Sequence, residues 1–176
     1  MNMHSNKIIR HATHEGVPPI IDDNSTVLIL GSMLSPKSAL SAFYYAHPQN
    51  RFWRVLSAVL GCDCPTDNQA KTQLALSHRI ALWDVISSCD ISGASDSTIT
   101  NVVYNDISGL LTRYSKITHI FTTGTKAHEL LMRYNQTINN HVINSAQRLP
   151  STSPQNCKVK LDALISAYAA IAKYLD

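Results

Sequence analysis

Residues 27–53 read VLILGSMLSPKSALSAFYYAHPQNRFW, and this stretch predicts both a fold and a binding site. The apolar run at residues 27–30 ends in Gly31 and Ser32 and opens into a polar loop. The loop closes with an aromatic cluster and Asn50, just before a helix is expected to begin. A strand-end loop of small residues exposes backbone N–H groups, and a nearby aromatic ring can stack on a flat ligand. We therefore expect a site for a base or a nucleotide.

Short apolar runs alternate with helical patterns along the rest of the chain. Runs at residues 26–30, 80–83 and 117–121 are bounded by polar residues or glycine, as strands buried on both faces are. Helices are predicted at these places: from Phe52 to a stop at Gly61, from a capping box at residues 66–69 to about His78, from a cap at Asn105 or Asp106, after Gly124, and over residues 161–175. Residues 87–97 read as a long loop, and a fourth strand is expected within residues 141–148.

This alternation predicts an α/β fold, a three-layer α/β/α sandwich with a central, mainly parallel four-stranded sheet. Ligands of such sheets bind at the carboxyl ends of the strands. The Gly31 loop, Asp84, the Gly124 turn and the loop at residues 149–156 would all lie at that edge. Asp84 is expected to order a loop, and contact with a base edge is the alternative.

Composition and charge describe an ordinary globular protein. The chain has 176 residues, 44% of them hydrophobic and 15% charged, and its net charge of +3 permits a nucleic-acid partner. We expect residues 1–24 to be a polar, loosely attached lead-in and residues 25–176 to form a single domain, active as a monomer. The first 16 residues lack the apolar core of a signal peptide, and no run approaches about 18 apolar residues, so we expect a cytoplasmic protein without membrane contact.

The four cysteines are candidate metal ligands. Cys62 and Cys64 form a C-x-C pair, while Cys89 and Cys157 are isolated. This spacing lacks the C-x₂-C pairs that usually bring thiolates onto one metal. We expect free thiols, no metal site and no cofactor.

Three segments in order resemble one known family. They are GSM-x-S…FYYAHP-x-N-x-FW within residues 31–53, IALWDVI at residues 80–86 and LPSTSPQN at residues 149–156. Together they resemble the uracil-DNA glycosylase superfamily, and within it the hypoxanthine-DNA glycosylase (DNA-deoxyinosine glycosylase) branch. The resemblance covers roughly residues 25–175. It implies the fold of that superfamily and hydrolysis, without a cofactor, of the N-glycosidic bond of a deaminated base in DNA.

The resemblance also assigns residues to the base. Tyr45 stands where the family stacks the extruded base, although it and its neighbours can equally be core or turn aromatics. Base-binding backbone groups are expected from Gly31, Ser32, Met33, Leu34 and Ser35. His47 is expected at the base too, as a base-binding or phosphate-binding residue or as a structural hydrogen-bonding one.

Met33 departs from the family pattern, because the mismatch-specific enzymes have an asparagine there that positions water. Methionine cannot orient a water molecule. In the hypoxanthine branch the functional amide is the asparagine of His-Pro-x-Asn, which corresponds to Asn50. We expect Asn50 to be the catalytic residue, with a helix N-cap as its structural alternative.

DNA contacts are expected from the loop near the C-terminus. Ser151, Thr152 and Ser153 can bind phosphate through hydroxyl and N–H groups, and Pro154 and Gln155 would lie near the space that the base vacates. The usual histidine or glycine forms of this motif are absent. Residues 95–97 are weaker candidates for phosphate contact.

Three functions fit these residues. The first is a monofunctional glycosylase that excises hypoxanthine from DNA. The second is a uracil or mismatch-specific DNA glycosylase, since uracil and hypoxanthine both present a carbonyl group beside a ring N–H. The third is a nucleotide-binding or DNA-binding module without turnover. Neither a Walker motif nor G-x-G-x-x-G occurs, which argues against an NTPase or a dehydrogenase.

Overall fold

Two sheets form the framework of the protein, whose computed structural model describes residues 9–92 and 96–175. Numbered in chain order, the strands of this part are β1 (Ile9–Thr13), β2 (Val27–Gly31), β3 (Ile80–Asp84), β4 (Ile86–Ser92), β5 (Thr100–Tyr104), β6 (His119–Thr123) and β7 (Gln147–Leu149). The central sheet has the order β3-β2-β6-β7 and all its pairings are parallel. The smaller sheet has the order β1-β4-β5 and is antiparallel.

Helices cover both faces of the central sheet. They are α1 (Pro36–Leu40), α2 (Phe52–Leu60), α3 (Asn68–Ser77), α4 (Ile107–Arg113), α5 (Thr125–Ile138), α6 (His141–Asn144) and α7 (Leu161–Tyr168), with 3₁₀ turns at Asp96–Thr98 and Ile171–Tyr174. Side chains of α2, α3 and α7 form one apolar core with one face of the sheet. Those of α4, α5 and α6 form a second core with the other face and with the small sheet. The predicted three-layer α/β/α sandwich with a parallel four-stranded sheet is confirmed.

The helix signals in the sequence act largely as predicted. Gly61 ends α2 in the left-handed conformation, with φ of 68°, which glycine adopts without a steric penalty. Asp106 caps α4 by accepting from the N–H of Gly109. The cap of α3 is shifted by one residue, because Asp67 rather than Thr66 accepts a backbone N–H, that of Ala70.

Three predicted boundaries are wrong. Residues 87–92 are not loop but belong to β4, which pairs with β5 as an antiparallel hairpin. The fourth central strand, predicted within residues 141–148, is β7 at Gln147–Leu149, and α6 occupies the start of that region. The last helix, predicted over residues 161–175, breaks after Tyr168 and continues as a 3₁₀ turn.

The segment before β2 is also attached more firmly than predicted. In its described part, β1 pairs with β4 in antiparallel register. Val17 and Ile20 are buried in the first core, and Ile20 forms a β-bridge with Leu82. The expectation of a loosely attached lead-in is therefore wrong for residues 9–24, which pack as part of the fold.

The helices and the cysteines show neither a membrane span nor a metal centre within the described residues. Within the described residues, no helix is long and apolar enough to cross a membrane. Cys62, Cys64 and Cys157 are exposed and Cys89 is buried, all as free thiols. The same residues contain no group of three or more His, Cys, Asp or Glu side chains placed to hold a metal ion.

Gly31 has no room for a side chain, which gives a prediction about stability. A Cβ atom there would lie 2.2 Å from Oδ1 of Asp84, a buried side chain that His14 holds in place. We expect Gly31→Ala to lower the free energy of unfolding by about 1–3 kcal/mol through overpacking, as measured by denaturant titration.

Gly109→Ala is the matched control. A Cβ atom there would lie 2.1 Å from Oδ2 of Asp106, and this exposed carboxylate can move away by loosening its cap on the Gly109 N–H. The net change in stability should stay below about 1 kcal/mol, because the higher helix propensity of alanine offsets the weakened cap. Equal losses in the two variants would contradict the packing argument at Gly31.

Candidate active site

A cavity of about 350 Å³ opens at the carboxyl ends of β2, β3 and β6. This is the edge at which the sequence predicted the ligand, and the volume is in the range of small-molecule sites. The predicted site residues that line the cavity are Gly31, Ser32, Met33, Leu34, Ser35, Tyr45, Asn50, Ser151, Thr152, Ser153 and Gln155. The cavity is also lined by Pro36, Ser38, Tyr44, Asp84, Ile91, Ser97, Thr123 and Asn156.

The bottom of the cavity follows from the register of β2 and β3, in which Gly31 lies beside Asp84. Because Gly31 has no side chain, Oδ1 of Asp84 can approach its Cα closely. The two segments stay hydrogen-bonded beyond the ends of the strands. Val85 N–H donates to Gly31 O at 2.9 Å, and Ile86 N–H donates to Ser32 O at 3.0 Å. The start of the Gly31 loop is thereby fixed against β3.

Backbone donors are available in this loop. Among the described residues, the N–H groups of Met33 and Leu34 have no hydrogen-bond acceptor. The Ser35 N–H likewise has no acceptor there, while the Ser35 hydroxyl caps α1 by accepting the N–H of Ser38 at 3.2 Å. The loop can therefore offer the N–H groups of Met33, Leu34 and Ser35 to a carbonyl oxygen of a ligand.

Tyr45 places an aromatic ring at the cavity. Its ring stacks on Phe52, with centroids 3.8 Å apart and planes 11° from parallel. The hydroxyl lies 3.2 Å from Oγ1 of Thr123. Burial raises the pKa of Tyr45 well above its ordinary value, and the charge of Asp84 raises it further, so the phenol is protonated at neutral pH. Because Phe52 covers one face of the Tyr45 ring, a ligand in the cavity would contact the part of the ring that Phe52 leaves uncovered.

Asn50 joins the two parts of the site. Its Oδ1 accepts from Phe52 N–H at 3.0 Å and from the Thr152 hydroxyl at 2.9 Å. A backbone N–H can only donate, so the oxygen of the amide must face Phe52. The Asn50 NH₂ group has no partner among the described residues and borders the cavity. The predicted cap-like contact is present, and the NH₂ group stays available as a donor.

Arg51 fixes the loop that follows β7, a role that the sequence did not suggest. Its guanidinium donates to the carbonyl oxygens of Asn156 at 2.8 Å and Ser153 at 3.3 Å, and also to that of Val159. In addition, its backbone N–H donates to Thr152 O at 3.1 Å. Carbonyl acceptors leave no trace in side-chain identity, so the only sequence signal was a cation inside an aromatic block.

Some predicted residues are not brought to the cavity. His47 does not line it, and its Nδ1 accepts the N–H of Gln49 at 3.1 Å in a turn. Pro154 does not line it either. Of the weaker phosphate candidates, Ser97 lines the cavity, while Ser95 lies outside the described residues.

Asp84 has a buried partner that the sequence reasoning missed. Nε2 of His14 lies 2.8 Å from Oδ2 of Asp84, and Nδ1 of His14 lies 2.9 Å from Val17 O. Burial lowers the pKa of His14, but hydrogen bonds and the charge of Asp84 outweigh it, so the net shift is upward. The sequence placed His14 in a polar segment, which concealed this contact.

Comparison with known proteins places the chain in a family. The model of the uracil DNA glycosylase superfamily matches residues 18–171. The chain belongs to this superfamily. The predicted fold and the predicted family likeness are both confirmed by this match.

Two relatives of the chain carry a more specific name. The chain is 37% identical over 115 residues to a protein of Methanosarcina acetivorans and 34% identical over 116 residues to one of Methanosarcina barkeri, and both are named hypoxanthine DNA glycosylase. Each match covers 65% of this chain and 73% of the relative. A solution NMR structure from M. acetivorans, described as a candidate uracil DNA glycosylase, matches with a TM-score of 0.74 at 28% identity, over 94% of this chain and 99% of that one.

The contacts of Arg51 give a prediction about the loop after β7. We expect Arg51→Met to lower the free energy of unfolding by about 1.5–3 kcal/mol, because hydrogen bonds from a charged donor are lost. Hydrogen exchange at residues 152–159 should accelerate more than exchange in β2. Arg54→Met, one turn into α2 at an exposed position, is the control and should leave this exchange unchanged. Unchanged exchange in Arg51→Met would show that the loop holds its shape without the guanidinium.

Proposed function

We propose that this protein is a monofunctional DNA glycosylase that hydrolyses the N-glycosidic bond of deaminated bases, with hypoxanthine in DNA as its main substrate. The observation that carries the proposal is the cavity itself. It combines an aromatic ring, free backbone N–H groups and an amide NH₂ at the strand edge, in a chain similar to two proteins named hypoxanthine DNA glycosylase.

The reaction requires stabilisation of opposite charges. Cleavage builds positive charge on the sugar and negative charge on the departing base. The N–H groups of Met33 and Leu34 can donate to a carbonyl oxygen of the base, where the negative charge collects. Tyr45, supported by Phe52, can stack on the extruded ring.

Asn50 would act through its NH₂ group rather than its oxygen. The oxygen already accepts two hydrogen bonds, which uses both of its lone pairs. The NH₂ group can donate to the oxygen of the attacking water or to the base.

The lining of the cavity supports attack by water rather than by an amine. A lyase needs an amine that forms a Schiff base with the sugar. None of the described residues that line the cavity is a lysine. Lys37 is exposed in α1, and Lys126 lies in the first turn of α5. We therefore propose that the product is an intact abasic site.

Duplexes that contain deoxyinosine, deoxyuridine or a thymine mismatch test the proposal. Strand cleavage after alkali, but not before it, on the deoxyinosine duplex is the expected result. Preference for deoxyuridine would favour the uracil alternative, which the shared carbonyl and N–H pattern of the two bases keeps open. Binding without cleavage of any duplex would favour the third alternative, a DNA-binding module without turnover.

We further propose that the protein is active without a metal ion, is a monomer and is located in the cytoplasm. Excision in excess chelator, metal analysis of the purified protein and its mass in solution test the first two properties. Microscopy of the tagged chain tests the third.

Asn50→Ala is expected to reduce the single-turnover excision rate by about 100–1,000-fold, the usual cost of removing one positioned donor. Loss of its acceptor contacts should reduce stability by only about 0.5–2 kcal/mol. Thr152→Val is the matched control, because it removes one contact of Asn50 and leaves the NH₂ group in place. Similar rates for the two variants would make Asn50 a structural residue.

Tyr45→Ala is expected to slow excision more than Tyr45→Phe. Stacking needs the face of the ring, and base–aromatic stacking is worth about 1–3 kcal/mol. Phenylalanine keeps the contact with Phe52 and loses only the hydrogen bond to Thr123. Thr123→Val removes the same hydrogen bond and serves as the control for Tyr45→Phe. Equal damage from both Tyr45 variants would instead assign the effect to the hydroxyl.

A further inference from the structure

Two buried titratable side chains meet beneath the cavity, and the proposed excision chemistry gives them no role. His14 and Asp84 are joined by a contact of 2.8 Å, and each side chain is 5% exposed. Asp84 lines the cavity, but His14 does not and comes from the segment before β2. Burying this pair is costly, so its geometry calls for a functional reason.

The protonation of the pair follows from the hydrogen-bond partners. Val17 O can only accept, so the proton of that bond belongs to Nδ1 of His14. A second proton must then lie between Nε2 and Oδ2 of Asp84, since two bare acceptors would repel each other at 2.8 Å. Both nitrogen atoms of His14 and one oxygen of Asp84 are occupied by these two bonds.

The other oxygen of Asp84 faces a different environment. Oδ1 lies beside Gly31 at the start of the loop and has no hydrogen-bond donor among the described residues. Asp84 O, by contrast, is held by the Asn105 side chain at 2.9 Å, which fixes the backbone. The residue is therefore held at Oδ2 and at its backbone oxygen, and Oδ1 is left as one acceptor at the cavity.

We propose that His14 is a positioning residue for base selection: it holds Oδ2 of Asp84 through the shared proton and thereby directs Oδ1 into the cavity as an acceptor for the ring N–H of a deaminated base. This inference rests on the proposed function and extends it to a residue outside the cavity. It also explains why the segment before β2 is packed into the fold.

This arrangement of donors and acceptor would distinguish hypoxanthine from adenine. Hypoxanthine presents a carbonyl oxygen beside a ring N–H, whereas adenine presents an NH₂ group beside a bare ring nitrogen. The N–H groups of Met33 and Leu34 together with Oδ1 of Asp84 match the first pattern and oppose the second at both positions. A site built to hydrogen-bond one partner rejects the mismatched one strongly, because its own polar groups are left unpaired.

The groups that face the pair from neighbouring elements carry no charge. Tyr44 and Tyr45 face it from the loop before α2, and burial raises the pKa of both phenols, so both are protonated. Asn105, from the segment after β5, is an uncharged amide. Glu15 and His11 belong to the same segment as His14 but are exposed. Although burial lowers it, the hydrogen bonds and the charge of Asp84 raise the pKa of His14 above its ordinary value, so the shared proton is held to a higher pH than on a free imidazole.

Three variants test the role of His14. His14→Phe removes the shared proton, and we expect single-turnover excision of hypoxanthine to fall by about tenfold to a hundredfold. His14→Gln can still donate to Oδ2 from its NH₂ group and should stay within a few-fold of the wild-type rate. His11→Gln makes the same change at an exposed histidine and is the control. Affinity for undamaged DNA should be equal in all three.

The pH profile provides a readout that a purely structural role would not change. Wild-type excision should decline as the pH rises through the raised pKa of His14, because the shared proton is then lost. The same decline should persist in His11→Gln and vanish in His14→Gln, which lacks the imidazole. An unchanged decline in His14→Gln, or a wild-type rate in a folded His14→Phe, would overturn the proposal. If His14→Phe fails to fold, the profile of His14→Gln decides.

Asp84→Asn should invert the profile. Neutral His14 can accept from the new NH₂ group, which leaves the amide oxygen toward the cavity, whereas protonated His14 would draw that oxygen to itself. Excision by this variant should therefore rise with pH. A decline like that of the wild type would contradict the assigned hydrogen bonds.

A measurement without turnover separates this proposal from the proposed function. The His14 ring can be titrated by NMR in the wild type and in Asp84→Asn, and its pKa should be lower in the variant. Affinity for free hypoxanthine over free adenine should fall in His14→Phe. If the wild type excises no base but shows both effects, only the proposed function fails. If excision occurs and both effects are absent, the role of His14 fails.

Discussion

The parallel register of β2 and β3 is the constraint on which the rest of the site depends. It sets Gly31 beside Asp84, and the absence of a side chain at Gly31 lets the carboxylate lie against the backbone. The hydrogen bonds from Val85 and Ile86 to the carbonyls of Gly31 and Ser32 then fix where the loop leaves the sheet. A shift by one residue would turn every side chain of the strand to the other face, so the two apolar cores protect the site geometry.

The cavity is assembled from segments about one hundred residues apart in sequence, and two neighbouring residues hold them together. Asn50 accepts the hydroxyl proton of Thr152, and Arg51 donates to three carbonyl groups of the following loop. Because each arginine bond ends on a backbone oxygen, the loop can vary in side chains without losing its anchor. The block that carries Asn50 therefore has two tasks, since it offers an amide to the cavity and fixes the opposite wall.

Sequence reasoning succeeded where local patterns determine structure and failed where long-range contacts do. Buried strands, the Gly61 stop and the Asp106 cap follow from apolar runs and capping chemistry, and the edge that carries the cavity follows from parallel topology. The β4–β5 hairpin was missed because its serine-rich sequence resembles a loop and is stabilised by pairing with β1. His14 was missed because a histidine in a polar segment gives no sign of a carboxylate 70 residues away.

Within the aromatic block at residues 43–53, Phe52 is the support for Tyr45. Phe52 is fully buried, packs edge-on against Trp53 and Tyr168, and carries the Tyr45 ring on its face. Tyr45 has φ of 54°, in the left-handed region, which costs a non-glycine residue on the order of 1–3 kcal/mol. A backbone held in that conformation needs strong contacts around it, and the stack on Phe52 together with the Thr123 contact supplies them. Rigid support of this kind limits the entropy that the ring would lose on stacking with a base, which favours recognition by one well-placed aromatic side chain.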